Sequence, residues 1–322
     1  MIPSTAHFIW FGTSFPWLHV AALRSASARG GFERVILHHT DELTSSPYWP
    51  ELENASGIEL HRLNPRDIFA RLGTRGQALY DLFSRLNQPA ARANMVRAAL
   101  LYSEGGVYLD TDTITIKPLT PLRTNFGVFF GEEHVVLPAA VAQSLNPIIR
   151  LNALRQDAMR DVCRRLPRGW RTFRRLAPAY PVAANNAVLG SEPEHPFIGE
   201  MLDRMLAMPP KRQLVRYALG THLLQEVARD LRHGEDVYVA PPAVFYPLGP
   251  EISQHWFRAG SAAHLEELLQ PSTLVVHWYA SVRTKTLVPQ LVPRTVQARS
   301  SDWALCALAA SYADQSTRQE NK

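Results

Sequence analysis

The chain has 322 residues, 46% of them hydrophobic and 20% charged, with a formal net charge of +5 and a pI near 9.3. That balance excludes a disordered polyelectrolyte, and no run of about 18 uninterrupted apolar residues is present to span a membrane. Cys163 and Cys306 are the only cysteines and have neither CxxC nor Cys/His spacing. A disulfide framework and a zinc module are excluded, and a reducing compartment is expected.

The N-terminus, Met1 to His7, lacks a basic segment followed by a long apolar one, so general secretion is not expected. A cytoplasmic protein is the simplest reading, with peripheral contact at the inner face of the membrane or export as an effector left open. Ala6-His7-Phe8-Ile9-Trp10-Phe11 reads as a first strand closed by Gly12, followed by a helix over Trp17 to Ala28 and a strand over Arg34 to His39. Strand, helix and strand in so short a span predict a βαβ unit in a parallel arrangement.

From Pro89 to Glu104 the residues favour helix, with proline in the first turn and Gly105-Gly106 as the stop. The next residues, Val107-Tyr108-Leu109-Asp110-Thr111-Asp112, read as an apolar strand ending in two carboxylates. Alternation along a strand puts Asp110 and Asp112 on one face at the carboxyl end, where open α/β sheets collect ligands. Two adjacent like charges need a cation or a proton between them, and Mg²⁺ or Mn²⁺ suits oxygen ligands that also hold a diphosphate.

Further strands are expected at Ile114 to Ile116, Gly127 to Phe130, Ala187 to Leu189, Val237 to Ala240 and Thr273 to Trp278. Helices are expected at Pro147 to Leu166, His195 to Met208 and Thr221 to Arg232, and an amphipathic tail helix at Ser301 to Ser316. The set describes an α/β domain with helical insertions, residues 1–295, and a helical tail, 296–322. The arginines at 160, 164, 165, 168, 171, 174 and 175 form the most basic segment; it reads as a solvated face or as a contact for lipid phosphate. No nucleic-acid-binding signature accompanies it.

The helix before Glu104-Gly105-Gly106-Val107-Tyr108-Leu109-Asp110-Thr111-Asp112, the motif itself and Ile116-Lys117-Pro118-Leu119 resemble the sugar-transferase family with a DXD motif. That family groups bacterial capsule and fungal mannosyl transferases and, distantly, the clostridial glucosylating toxins. The resemblance implies a GT-A fold, a Rossmann-like mixed sheet flanked by helices. It also implies a nucleotide-sugar donor, UDP-linked by preference, a glycan, lipid-linked or protein acceptor, and retention of anomeric configuration. Cell-envelope polysaccharide synthesis is the preferred setting.

Carried over position by position, the resemblance has Asp112 ligate Mn²⁺ or Mg²⁺ directly and Asp110 contact the donor and the metal through water. Trp10 falls where toxin-like members stack a tryptophan on uracil, and Arg97 matches a helix arginine that contacts donor sugar or phosphate. Asn94 stands where the family has an aspartate and brings no charge. Asn185 and Asn186 resemble the amides that approach the sugar. His277, in Val275-Val276-His277-Trp278, resembles the C-terminal patch that completes the metal site, and Arg283 and Lys285 stand ready for the leaving diphosphate.

Two rivals come from other classes. Asp110-Thr111-Asp112-Thr113 also fits the DxDxT of haloacid-dehalogenase-type phosphatases, although that motif normally lies near the chain start and needs a downstream acidic pair closing an apolar strand. Asn94 in place of an aspartate motivates a non-catalytic nucleotide-sugar or carbohydrate binder.

Overall fold

The first predicted strand alternates in space as it does in sequence: Ala6 and Phe8 enter one apolar core while Ile9 enters a second. A strand buried on both faces needs helices on both sides, and the computed structural model, which describes residues 1–136, 141, 144–231, 236–282 and 284–320, supplies them. The strands are β1 Thr5–Trp10, β2 Arg34–His39, β3 Ile58–Arg62, β4 Gly106–Leu109, β5 Thr113–Thr115, β6 Val128–His134, β7 Val182–Ser191, β8 Val237–Ala240 and β9 Val275–His277. Helices of eight residues or more among the described residues are α1 Trp17–Arg29, α2 Gly76–Arg85, α3 Pro89–Glu104, α4 Pro147–Arg165, α5 Gly169–Leu176, α6 Pro196–Ala207, α7 Leu223–Leu231 and α8 Ala304–Glu320.

Seven strands form a mixed sheet in the order β3-β2-β1-β4-β7-β6-β8, and β5 pairs with β9 in a separate antiparallel ribbon. Only β7 runs against its neighbours, β4 and β6. The carboxyl ends of β1, β2, β3, β4 and β6 therefore share one edge. The predicted mixed α/β class and most of the predicted elements are present; β3, α2 and α5 are additions. The end predicted for one helix at Arg232 lies outside the described residues.

Helix α1 packs on one sheet face together with α8, whose Leu305, Ala309 and Tyr312 are buried in that same core. Helices α2, α3, α6 and α7 cover the other face. No helix among the described residues is long and apolar enough to cross a membrane.

The Gly105-Gly106 stop has a steric cause. Both residues hold positive φ, +67° and +99°, and a Cβ on Gly106 would stand 2.7 Å from the Thr5 carbonyl oxygen and 2.9 Å from His7 Nε2. Only glycine lets α3 pass directly into β4 against β1. Neutral His7 spans this corner: its Nε2 is 3.0 Å from the Gly105 carbonyl, and its Nδ1 is 3.0 Å from Nε2 of His38 on β2.

Burial lowers the pKa of His7 to about 4 and that of His38 well below its ordinary value. The unfolded chain takes up these protons near pH 6.5 whereas the folded chain refuses them. The stability contributed by neutral His7 is thus complete above pH 6.5 and is lost as pH falls toward 4, by at most about 1.4 kcal/mol per pH unit for one histidine. Denaturant titrations at pH 7, 5.5 and 4.5 are expected to show this decline, with a shallower slope in His7→Gln; an equal slope in the variant removes His7 as its source.

Candidate active site

Strand β4 ends at Leu109, one residue short of the first carboxylate, so Asp110-Thr111-Asp112 forms a turn between β4 and β5. This corrects the strand-alternation argument: the two acids converge because the chain turns, not because they alternate on one strand. Three contacts fix the turn. The Asp110 N–H donates to the Ala187 carbonyl on β7 (2.8 Å), the Thr113 hydroxyl donates to the Asp110 carbonyl (2.8 Å), and His19 of α1 lies with Nδ1 2.8 Å from the Thr111 carbonyl. Burial holds the pKa of His19 down, so the ring is neutral and its Nδ1–H donates.

Strand β9 delivers the rest of the cluster. Thr113 pairs with His277, and the Trp278 N–H donates to the Asp112 carbonyl (3.0 Å). His277 Nε2 then sits 3.0 Å from Asp112 Oδ1, and the Ala280 N–H donates to Oδ2 (2.7 Å). Burial opposes ionisation of Asp112, but His277 and the Ala280 amide outweigh it and bring its pKa to about 2. Burial likewise opposes the charge of His277, and the adjacent Asp112 more than offsets this, so the histidine is shifted upward.

Helix α3 reaches the same place from beneath. Arg97 is buried, lies 3.8 Å above the Tyr108 ring, donates from Nη2 to Asp110 Oδ1 (2.9 Å) and from Nη1 to the Asn186 carbonyl (2.5 Å). Tyr108 donates its hydroxyl to the same Asp110 oxygen (2.6 Å). Asp110 Oδ2 is left without a protein donor among the described residues. Asn94, one turn earlier on α3, accepts from Asn186 Nδ2 (2.9 Å) and abuts Gly220, where a Cβ would stand 2.4 Å from Asn94 Nδ2.

The asparagine pair owes its position to an irregularity. Along β6 and β7, Phe130 faces Leu189 but Gly131 faces Asn185, so residues 186–188 bulge out of register. Asn186 is thereby turned toward Asn94 and Arg97. Asn185 points elsewhere: its Nδ2 donates to Glu133 Oε2 (2.7 Å) and its Oδ1 accepts from the Ala187 N–H (2.7 Å).

Glu133 is a site residue that the sequence reading missed. It is buried, accepts also from the Tyr279 hydroxyl (2.6 Å), and has its pKa raised by burial. Tyr279 stacks on His277 with ring centroids 4.0 Å apart, so Glu133 braces the histidine through the tyrosine. Its signal was available, since Glu132-Glu133 ends the apolar run Val128-Phe129-Phe130. An acidic pair does therefore close a downstream strand, contrary to the objection raised against the phosphatase reading; Glu133 is committed to Tyr279 and Asn185.

Trp10 packs edge-on against Phe15 (4.9 Å between centroids) and against His19 (4.8 Å), forming a shelf behind the Asp-Thr-Asp turn. Its buried Nε1 lacks a partner among the described residues and lies toward Gly12, which lines a cavity of about 700 Å³ at the carboxyl ends of β1, β2 and β3. Phe11, Thr40, Asp41, Arg62 and Asn64 line it as well. Lys285 is exposed, and Arg283 lies outside the described residues.

Asp110, Asp112 and His277 each offer one ligand atom, all within 4.8 Å of one another. Two carboxylates and an imidazole make a donor set suited to a divalent ion. The arrangement brings together Asn94, Arg97, Asp110, Asp112, Asn186 and His277, whereas Asn185 and Lys285 face other surroundings.

Residues 37–127 match the family described as a glycosyltransferase sugar-binding region containing a DXD motif. This stretch contains Asn94, Arg97, Asp110 and Asp112 but neither Trp10 nor His277. No curated protein matches the chain. Among solved structures, the chain is similar to PaToxG glycosyltransferase at 13% identity, covering 72% of this chain and 70% of that one with a TM-score of 0.47. It is also similar to the UDP-bound glycosyltransferase domain from the YGT toxin (11% identity, 74% and 79% covered, TM-score 0.42) and to mouse xyloside xylosyltransferase 1 (13%, 86% and 98%, 0.43).

The buried Arg97–Asp110 pair predicts non-additive stability. Arg97→Met removes the cation and strands the carboxylate, at an expected cost of about 3 kcal/mol, the low end for such pairs because Asp110 keeps partial contact with water. Adding Asp110→Asn is expected to recover at least about 1 kcal/mol in urea unfolding; strict additivity contradicts the pairing.

Proposed function

We propose that this chain, whose residues 37–127 match a glycosyltransferase sugar-binding region containing a DXD motif, transfers a hexose from a nucleotide sugar, UDP-linked by preference, in a metal-dependent reaction. The observation that carries this reading is the convergence of Asp110, Asp112 and His277 on one point at the sheet edge that also holds the large cavity. A cavity of about 700 Å³ falls within the usual span for small-ligand sites. The nucleoside occupies it, against Phe11 and beside Trp10, and its diphosphate runs toward the end of β4.

Asp112, Asp110 and His277, once it has given up its proton, would hold the ion, for which Mn²⁺ fits the mixed oxygen and nitrogen donors better than Mg²⁺. When bound, the ion neutralises charge that grows on the departing diphosphate. Arg97 keeps Asp110 oriented, while the Trp278 and Ala280 amides keep Asp112 in place before any ligand arrives. Asn94 and Asn186, joined to each other, offer their remaining amide groups to the sugar hydroxyls.

The test is a panel of UDP- and GDP-sugars with Mn²⁺, scored for slow hydrolysis without acceptor. One donor is expected to be cleaved, cleavage is expected to stop with chelator and return with Mn²⁺, and Asp112→Asn is expected to lower the rate by about a hundredfold or more. Cleavage that ignores the chelator, or a folded Asp112→Asn protein with near-wild-type rate, contradicts the reading. Donor binding by calorimetry with no turnover selects the non-catalytic alternative instead.

A further inference from the structure

Helix α4 is turned inside out relative to an ordinary surface helix. Ile148, Leu151, Leu154, Met159, Val162 and Leu166, three to five residues apart on one face of α4 and its C-terminal cap, are between 44% and 75% exposed. The inward side carries only Ala153 and Cys163 as buried residues, together with Arg160, which pairs with Glu251. Exposed apolar stripes of this kind on a protein otherwise well packed mark a contact.

The helix is held firmly in this orientation. Arg258 donates to the carbonyls of Arg164, Arg165 and Leu166, His255 Nε2 lies 3.1 Å from the Cys163 carbonyl, and Tyr180 donates to the Gln156 carbonyl (2.9 Å). Exposure of the apolar face is thus fixed by the fold.

The charge around the stripe names the partner. Arg150, Arg155, Arg165 and Arg168 are exposed on and beside it, Arg155 within the stripe itself, and Arg150, Arg155 and Arg168 form no ion pair among the described residues. The acids of the helix, Asp157 and Asp161, flank the stripe and are engaged: Asp157 pairs with Arg160, and Asp161 with Arg160, Arg164 and, at 3.9 Å, Arg165. An apolar face whose unpaired charges among the described residues are all basic complements a surface that is oily below and negative above.

We propose that α4 lies in the interface of an anionic phospholipid layer, with the leucine and isoleucine stripe among the acyl chains and the arginines at the headgroup phosphates. Glu251 ties the helix to the carboxyl end of β6 by accepting both Arg160 and the Val136 N–H, so the lipid-facing helix stands beside the edge that holds the candidate active site. Membrane binding here is a property of the surface and is independent of catalysis.

Flotation of the full chain with phosphatidylcholine vesicles, with and without phosphatidylglycerol, tests it. Binding is expected only with the anionic lipid and is expected to weaken as salt rises. Leu151→Glu/Leu154→Glu is expected to lower partition by about tenfold or more, and Arg155→Gln/Arg168→Gln by about 25-fold, roughly fivefold per arginine, with circular dichroism unchanged in both. Absence of wild-type binding, binding that survives the leucine changes, or equal binding to neutral vesicles overturns the proposal. So does a dimer that dissociates on Leu154→Glu without any lipid affinity, which assigns the face to a second copy.

Discussion

Two carboxylates in the turn that follows β4 repel each other, and the architecture around that turn is arranged to hold them together. Each acid is stabilised by a different set of partners. Asp110 is fixed from below by Arg97 and Tyr108, side chains of α3 and β4, while Asp112 is fixed from the side by the imidazole of His277 and by a backbone amide after β9. The repulsion is offset before any ligand arrives, and the groups that offset it leave Asp110 Oδ2 open. Such prior arrangement of charge lets a site meet developing negative charge without reorganising.

The remainder of the fold serves that placement. Gly105 and Gly106 make the corner from α3 into β4, which keeps Arg97 within reach of Asp110. The bulge in β7 brings Asn186 to Asn94 while its neighbour Asn185 is drawn away to Glu133. His19, wedged between Trp10 and Trp278, supports the turn from α1. Residues from six separate elements thus act on a three-residue turn, which explains why so short a motif requires so large a domain.

Local signals in the chain made much of this readable. Pro89 and the Gly105-Gly106 pair bounded α3 correctly, and the apolar run into Asp110 pointed to the candidate site, because helix punctuation and strand burial are properties of neighbouring residues. What was not readable depended on contacts distant in sequence. The meeting of His277 with Asp112, expected from the family resemblance alone, rests on β5 and β9, strands of three residues each, too short to show a period. The fates of Asn185 and Asn186 diverge at a register shift that composition does not encode. Glu133 was legible by the same rule that found Asp110, an acid ending an apolar strand, and was passed over because it stands outside the recognised motif. The exposed stripe on α4 was hidden for another reason: its period is that of any amphipathic helix, and sequence alone does not tell which face meets the core.

The central claim is that Asp110, Asp112 and His277 together bind a divalent ion, and titration of Mn²⁺ followed by electron paramagnetic resonance tests it most directly. In the presence of UDP the wild-type chain should take up one Mn²⁺ per molecule, and Asp112→Asn should abolish that uptake while leaving the protein folded. Equal uptake by both proteins, or none by the wild type, would contradict the account.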